Sequence, residues 1–173
     1  MIGYPPNGGE TMYRKFLKNF AAVSVILLIL AAGLVVLFDP FFHYHEPVGP
    51  LKAVLTKKEY QSIGTIRNFS YDSLIMGSST AENFNNRWFD DAFGVTAVKA
   101  IKSSGVTAQL DYYMEQAFER RKIKMVFYSL DLFALGGDPD IEFPDESMPL
   151  YLYDRNPFTD VNYVLNKDVI FED

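Results

Sequence analysis

The chain of 173 residues contains no cysteine and only two histidines, His43 and His45. Without a thiol it can form no disulfide, zinc–thiolate site or iron–sulfur cluster, and it has no thiol nucleophile. Basic residues are few, with 16 Lys plus Arg against 22 Asp plus Glu and a net charge of −6. Phosphate contacts need a basic surface, so this balance argues against nucleic acid as a partner. Apolar residues make up 49% of the chain, which is typical of a packed core and of one domain.

The longest apolar segment runs from Phe20 to Phe38 and contains no charged residue. At ~1.5 Å per residue, a helix of this length crosses a hydrocarbon layer of ~30 Å. A cleavable signal peptide would have a shorter apolar core and small residues before the cleavage site, whereas this run ends in Leu37-Phe38. A buried core helix would usually carry a polar stripe. We therefore predict an uncleaved transmembrane anchor over residues 20–38, with a signal peptide and a core helix as the alternatives.

Charge is distributed unevenly around this segment. Three basic residues precede it, Arg14, Lys15 and Lys18, and two acidic residues follow closely, Asp39 and Glu46. The positive-inside rule then places residues 1–19 in the cytoplasm and the rest of the chain outside the cell membrane. We expect a single-pass protein of the cell membrane with the lipid bilayer as a partner. Its acidic outer part should not adhere to an anionic membrane surface.

The two histidines lie in an aromatic segment, Phe41-Phe42-His43-Tyr44-His45, directly after the anchor. Two residues apart, they would point the same way on an extended strand and could share a metal with a carboxylate. No further ligands can be named from the sequence, and aromatic residues are typical of the membrane–water interface. We therefore expect an interfacial aromatic belt and no metal site, with metal binding as the alternative.

After a juxtamembrane segment, residues 39–70, short apolar runs alternate with helical patterns over residues 71–173. The predicted strands are Asp72–Met76, Val95–Ile101 and Lys124–Leu130. Ser79-Thr80-Ala81-Glu82 has the spacing of a capping box, so a helix should begin there, and apolar periodicity predicts a second helix over Thr107–Lys122. Strands alternating with helices through short loops predict an α/β domain with a parallel sheet flanked by helices.

Ligands of open parallel sheets bind at the carboxyl ends of the strands. No glycine-rich phosphate loop follows the first strand, so we expect no nucleotide cofactor. Ser79 would sit at a helix start, where backbone N–H groups and the helix dipole stabilise an oxyanion, which makes it a candidate nucleophile. The alternative is that Ser79 only caps the helix. Gly105, in the next loop, allows close backbone approach and could donate a second N–H to the same oxyanion.

The block Leu74-Ile75-Met76-Gly77-Ser78-Ser79-Thr80 resembles the first sequence block of the SGNH (GDSL-like) hydrolases, a strand followed by Gly-Asp-Ser at the start of a helix. The Gly-Ser-Ser form with a membrane anchor is similar to the bacterial cell-envelope branch that handles acyl groups, among them alginate-type O-acetyltransferases and the protein of teichoic-acid D-alanylation. The resemblance implies a flavodoxin-like sheet, Ser79 as nucleophile and first oxyanion donor, and Gly105 as the second-block glycine. Ser78 is the second candidate nucleophile.

The chain departs from this family at two blocks. The third block normally ends in Gly-x-Asn-Asp, but here it is represented only by Ser129-Leu130-Asp131, so the oxyanion asparagine is absent. Because a carboxylate opposes an oxyanion, we expect Asp131 to orient other groups or to be structural. The family's Asp-x-x-His is also missing, since no histidine follows His45. A serine without a base is a poor nucleophile, so we expect an N-terminal part of a longer enzyme, with an incomplete sheet and no activity as given.

The resemblance implies an extracytoplasmic serine esterase or O-acyltransferase that acts on acylated glycans of the cell envelope. The alternative is a non-catalytic envelope scaffold or glycan-binding protein, whose partners would include other envelope membrane proteins. The missing asparagine and histidine favour this alternative. The aromatic run Tyr151-Leu152-Tyr153 would suit stacking on a sugar, or it packs in the core.

Overall fold

The computed structural model describes residues 8–49, 56–146, 148–154, 156–166 and 169. Seven α-helices, three strands and one 3₁₀ helix are present in these ranges. In chain order they are α1 (Gly8–Phe38), α2 (Lys58–Asn68), β1 (Ser73–Gly77), α3 (Ser79–Glu82), α4 (Asn86–Phe93), β2 (Ala97–Ile101), α5 (Thr107–Arg120), β3 (Met125–Ser129), the 3₁₀ helix (Leu132–Gly136), α6 (Leu150–Tyr153) and α7 (Val161–Val164).

The three strands form one parallel sheet in the order β2-β1-β3. Ser73 at the start of β1 pairs with Ala97 and Met125, and Gly77 at its end pairs with Ile101 and Ser129. Every residue of the central strand is buried. All three strands lie where the apolar runs predict them, and the prediction of an α/β domain with a parallel sheet flanked by helices is confirmed.

Side chains of β1 alternate between two layers of the core. Leu74 and Met76 belong to a large cluster with residues of α2, α5, α6 and α7, whereas Ile75 belongs to a small cluster with Phe84 and Phe89. This alternation follows from the two-residue period of a strand. The helices after β1 therefore cover one face of the sheet, and α2 and α5 cover the other.

The polar stretch Lys57–Arg67 is helical, which its pattern did not predict. Helix α2 packs against β2 and α5, and its buried face includes the polar residues Gln61, Ser62 and Thr65. Gln61 Nε2 donates to the Pro40 carbonyl at 2.9 Å, and Ser62 Oγ donates to the Ile101 carbonyl at 3.1 Å. Because Gln61 and Ser62 are hydrogen-bonded, they pack in the core beside Ile63 and Ile66 of the same helix.

The two edges of the sheet differ. On the outer side of β2, Ala97 N–H donates to Asp90 Oδ1 at 2.8 Å, its carbonyl accepts from Asn86 Nδ2 at 2.8 Å, and Ile101 N–H donates to Ser62 Oγ at 3.0 Å. The register of β3 with β1 directs the backbone groups of alternate residues, Val126 and Tyr128, outward. Within the part of the chain that the structure describes, nothing hydrogen-bonds these groups. Side chains thus cover the edge of β2 and leave the edge of β3 open.

Helix α1 is longer than the predicted span and includes the basic residues Arg14, Lys15 and Lys18. Its portion Met12–Phe38 is long and apolar enough to cross a membrane, and most of its large side chains are exposed. Its last turns differ, because Val35 is buried against the α/β core. The N-terminal apolar helix is thus continuous with the packed domain.

A buried carboxylate joins α1 to the domain. Asp39 is 1% exposed and accepts hydrogen bonds from the backbone N–H groups of His43, Tyr44 and His45 at 2.9, 2.7 and 2.8 Å. The Tyr163 hydroxyl of α7 donates to the same carboxylate at 2.6 Å. Asp39 has φ +42°, in the left-handed region that few non-glycine residues adopt. We call residues 39–45, folded around this carboxylate, the Asp39 collar.

We predict that Asp39→Ala lowers the free energy of unfolding by about 3–5 kcal/mol, because three backbone N–H groups and a buried hydroxyl lose their acceptor. Tyr163→Phe removes one of these bonds and should cost about 1–2 kcal/mol. Unfolding in detergent micelles, followed by near-UV circular dichroism, measures both. The matched control is Asp91→Ala on the exposed surface of α4, which should cost under about 0.5 kcal/mol. Equal stability of the Asp39 and Asp91 variants would contradict the role of the collar.

Candidate active site

The loop after β1 meets the loop after β3 at the carboxyl edge of the sheet. Gly77 makes this contact possible, because it has φ +154° and a Cβ there would lie 2.9 Å from both the Cβ and the carbonyl oxygen of Ser129. A side chain at this position would separate the ends of β1 and β3. The glycine of the Gly-Ser-Ser block is therefore required by close backbone approach.

Ser78 is the N-cap of α3, and its Oγ accepts from the Thr80 N–H at 3.4 Å. The capping-box interpretation predicted the cap at Ser79, one residue too late. Ser78 is 2% exposed, and its hydroxyl donates to Asp131 Oδ2 at 2.5 Å. The Thr80 hydroxyl lies 3.4 and 3.3 Å from the two oxygens of the same carboxylate. Asp131 thus binds two hydroxyl groups of the loop after β1. The hydroxyl of Ser78 is buried and hydrogen-bonded, so its contacts are those of a structural residue.

Ser79 is the first residue of α3 and is exposed. Neither its hydroxyl nor its backbone N–H is hydrogen-bonded to any residue within the described ranges. Helix starts leave such N–H groups unpaired, and these groups stabilise negative charge. Of the two candidate nucleophiles, Ser79 therefore has the accessible hydroxyl, and Ser78 has the buried one.

Gly105 lies in the loop after β2, as predicted, but its N–H has a partner. It donates to the Lys102 carbonyl at 2.9 Å. A Cβ on Gly105 would lie 2.8 Å from Lys102 Cβ and 2.9 Å from that carbonyl oxygen, so the glycine is required by its own tight turn. The Gly105 N–H could donate to an oxyanion only if this turn rearranged and released the Lys102 carbonyl.

A cleft of about 520 Å³ lies between the loop that starts α5 and the 3₁₀ helix. Its walls include Val106, Ala108, Ala134, Leu135 and Pro139, and Thr107 Oγ1 donates across it to the Ala134 carbonyl at 3.1 Å. Both walls follow carboxyl ends of strands, β2 on one side and β3 on the other. The cleft therefore lies on the same edge of the sheet as Ser79.

Both histidines are far from this edge in the fold. His43 Nε2 lies 3.0 Å from Asp160 Oδ1, and the His43 carbonyl accepts from Asn68 Nδ2 at 3.0 Å. Asn68 ends the helix that precedes β1, so this cluster lies toward the amino end of the strand, whereas Ser79 follows its carboxyl end. Neither ring is placed to act as a base for Ser79.

The histidines do not share a ligand. His45 Nδ1 lies 2.6 Å from the Glu46 carbonyl oxygen and Nε2 lies 2.8 Å from the Val36 carbonyl oxygen, whereas His43 pairs with Asp160. No group of three or more metal-ligating side chains converges in the part of the chain that is described. The alternative of a metal held by both histidines has no support in this arrangement.

Hydrogen bonds to the carbonyl oxygens of Glu46 and Val36 raise the pKa of His45 above its ordinary value of 6.5. Two carbonyl acceptors need two ring donors, and only the protonated ring has both. The Val36 carbonyl belongs to the last turn of α1, where a positive charge is favoured by the helix dipole. Protonated His45 therefore caps the C-terminus of α1.

The aromatic run Tyr151-Leu152-Tyr153 packs in the core. Leu152 and Tyr153 are buried, and the Tyr153 hydroxyl lies 2.9 Å from that of Tyr113. The Arg67 guanidinium donates to the carbonyls of Leu152 and Tyr153 at 2.6 Å. The run therefore belongs to the packed core and does not form an exposed surface for stacking on a sugar.

We predict that the stability of the folded chain decreases as pH rises through the neutral range. Because the folded pKa of His45 lies above the unfolded one, its contribution is complete below about pH 6.5 and is lost as pH rises through the folded pKa. His45→Gln should flatten the pH dependence of the melting temperature between about pH 6 and 8. Asp91→Ala, as control, should keep the slope of the unaltered chain. An unchanged slope in His45→Gln would contradict this cap.

Comparison of the chain with protein-family models, with curated proteins and with solved structures found no match. The fold class and the geometry at the carboxyl edge therefore rest on the residues of this chain alone. The only link to the SGNH superfamily is the resemblance of the Gly77-Ser78-Ser79 block.

Proposed function

We propose that this chain belongs to a membrane-anchored, extracytoplasmic serine esterase or O-acyltransferase of SGNH type that acts on acylated cell-envelope glycans. One observation carries the proposal. An exposed serine with an unpaired backbone N–H, Ser79, begins the helix that follows the central strand. This is the position at which the resemblance to the SGNH block puts the nucleophile.

The strand order supports the finer fold assignment. The order β2-β1-β3 equals the first three positions of the flavodoxin-like order 2-1-3-4-5. The chain leaves β1 toward the helices of one face, while α5, which leads into β3, packs on the other face. Ligands of such sheets bind outside the carboxyl ends of the strands, near the point where connections diverge. The contact of Ser78 with Asp131 lies at that point.

In the proposed reaction, Ser79 Oγ attacks the carbonyl carbon of the ester, and the C–O bond to the glycan breaks. The carbonyl oxygen becomes an oxyanion beside the Ser79 N–H and the start of α3. The serine proton passes to a general base and then to the leaving hydroxyl group. Water or another sugar hydroxyl then removes the acyl group. The residues of the described ranges place no base in hydrogen-bond contact with Ser79 Oγ, so the proposal requires a general base that these residues do not supply.

The absence of a base near Ser79 in these ranges also favours a second candidate function, a non-catalytic envelope scaffold. In that function the cleft between α5 and the 3₁₀ helix would hold a glycan or a partner membrane protein without reacting. Covalent chemistry at Ser79 separates the two candidates.

Labelling with a fluorophosphonate probe tests the nucleophile. In membranes that contain the full-length protein, we expect labelling that Ser79→Ala abolishes, because the probe reacts only with an activated serine. Ser103→Ala, in the neighbouring loop, is the matched control and should label like the unaltered protein. Labelling that persists in Ser79→Ala and disappears in Ser78→Ala would transfer the role to Ser78. No labelling of the unaltered protein would favour the scaffold.

The orientation of the anchor is proposed from the basic residues Arg14, Lys15 and Lys18, which lie on α1 before the uncharged run Phe20–Phe38. Protease added to intact protoplasts should digest the part after Asp39 and spare an epitope tag at the N-terminus. Lysed protoplasts, as the control, should lose both. Protection of the α/β domain in intact protoplasts would reverse the assigned orientation.

A further inference from the structure

Three apolar side chains are exposed along one side of α7 and the turn before it. Phe158 is 87% exposed, Val161 53% and Leu165 59%. Their spacing of three and four residues places them on one face of a helical segment. Tyr163, between Val161 and Leu165, points the other way and is buried in the core. We call the three exposed residues the α7 apolar face.

The α7 apolar face lies at the level where α1 leaves its apolar portion. α7 contacts α1, and the Tyr163 hydroxyl donates to Asp39 at 2.6 Å and accepts from the Phe41 N–H at 3.2 Å. Asp39 is the first charged residue after the apolar run that ends at Phe38. If α1 spans a bilayer, Asp39 marks the end of the hydrocarbon layer, and Tyr163 holds α7 beside it.

We propose that the α7 apolar face inserts into the outer leaflet, at the boundary between headgroups and acyl chains, as a second lipid contact beside α1. The proposal rests on the membrane anchoring proposed above. Its occupant is lipid because α7 is held against the end of α1, where the last apolar residues, Leu37 and Phe38, are themselves exposed. The chain is acidic, so an apolar contact suits it better than an electrostatic one. Phenylalanine and leucine are typical of the apolar face of helical segments that lie at the membrane interface.

Among the described residues, two acidic side chains near this face, Asp160 and Asp154, have hydrogen-bond partners. Asp160 lies 3.0 Å from His43 Nε2, and both oxygens of Asp154 accept from the Thr159 hydroxyl at 3.0 and 2.9 Å. Insertion of the three apolar side chains therefore leaves these hydrogen bonds in place. A second lipid contact would also restrict rotation of the domain about α1 and keep the amino edge of the sheet toward the bilayer. The Ser79 edge would then face away from the membrane.

Single-tryptophan fluorescence tests this contact in the full chain. Trp88→Phe removes the only tryptophan, and Phe158→Trp introduces a probe on the α7 apolar face. Leu132→Trp, equally exposed at 87% but on the carboxyl edge, is the matched control, and Val25→Trp reports α1. Each variant is placed in phosphatidylcholine nanodiscs with and without brominated acyl chains, which quench only rings that contact the lipid interior.

We expect bromine to reduce the fluorescence of Phe158→Trp about twofold, as for a ring ~5–10 Å into the headgroup–acyl boundary, and to leave Leu132→Trp unchanged. Quenching of Val25→Trp without quenching of Phe158→Trp would overturn the lipid contact and leave the anchor intact. Emission of Phe158→Trp that shifts to the blue but is not quenched would also overturn it, because a protein surface would then cover the face. If neither Val25→Trp nor Phe158→Trp is quenched, the anchor and the lipid contact both fail.

Discussion

The buried carboxylate of Asp39 is the interaction on which the arrangement of the chain depends. It accepts three backbone N–H groups of the segment that leaves α1 and the hydroxyl of Tyr163, far along the chain. A buried carboxylate is stable only when its oxygens accept enough hydrogen bonds. The loss of any one donor therefore destabilises the site and weakens the remaining contacts. The apolar helix, α7 and the core of the α/β layer thereby become one packed unit. The lipid contact proposed for α7 depends on this linkage.

The carboxyl edge of the sheet is organised by a second carboxylate, Asp131, in a different way. It binds the hydroxyls of Ser78 and Thr80 and leaves the residue between them, Ser79, exposed. The neighbouring glycine, Gly77, lets the ends of β1 and β3 approach closely enough for this contact. Ser79 thus has the exposed hydroxyl that the proposed reaction requires, next to the buried Ser78.

The strands were predictable from sequence because each is a short apolar run next to polar or glycine residues, and a buried central strand needs such a run. Helix α2 was not, since three of its buried residues, Gln61, Ser62 and Thr65, are polar. Gln61 and Ser62 donate to the backbone of Pro40 and Ile101, which are distant in sequence. The cap of α3 was misplaced by one residue because the capping-box spacing fits Ser79 and Glu82, whereas the observed cap, Ser78, meets only the general preference for serine at an N-cap. For Gly105, the sequence indicates a position where other atoms can approach the backbone closely, but it does not show that these atoms belong to Lys102. The collar was hidden because its partner, Tyr163, is more than a hundred residues from Asp39.

The difference between the two edges of the sheet determines where a further strand can be added. Asp90, Asn86 and Ser62 occupy the backbone groups of β2, so a strand from any source would have to displace three side chains there. At β3 it would meet the outward backbone groups of Val126 and Tyr128 directly. Such an addition would move the junction of β1 and β3 from the margin of the sheet to its interior.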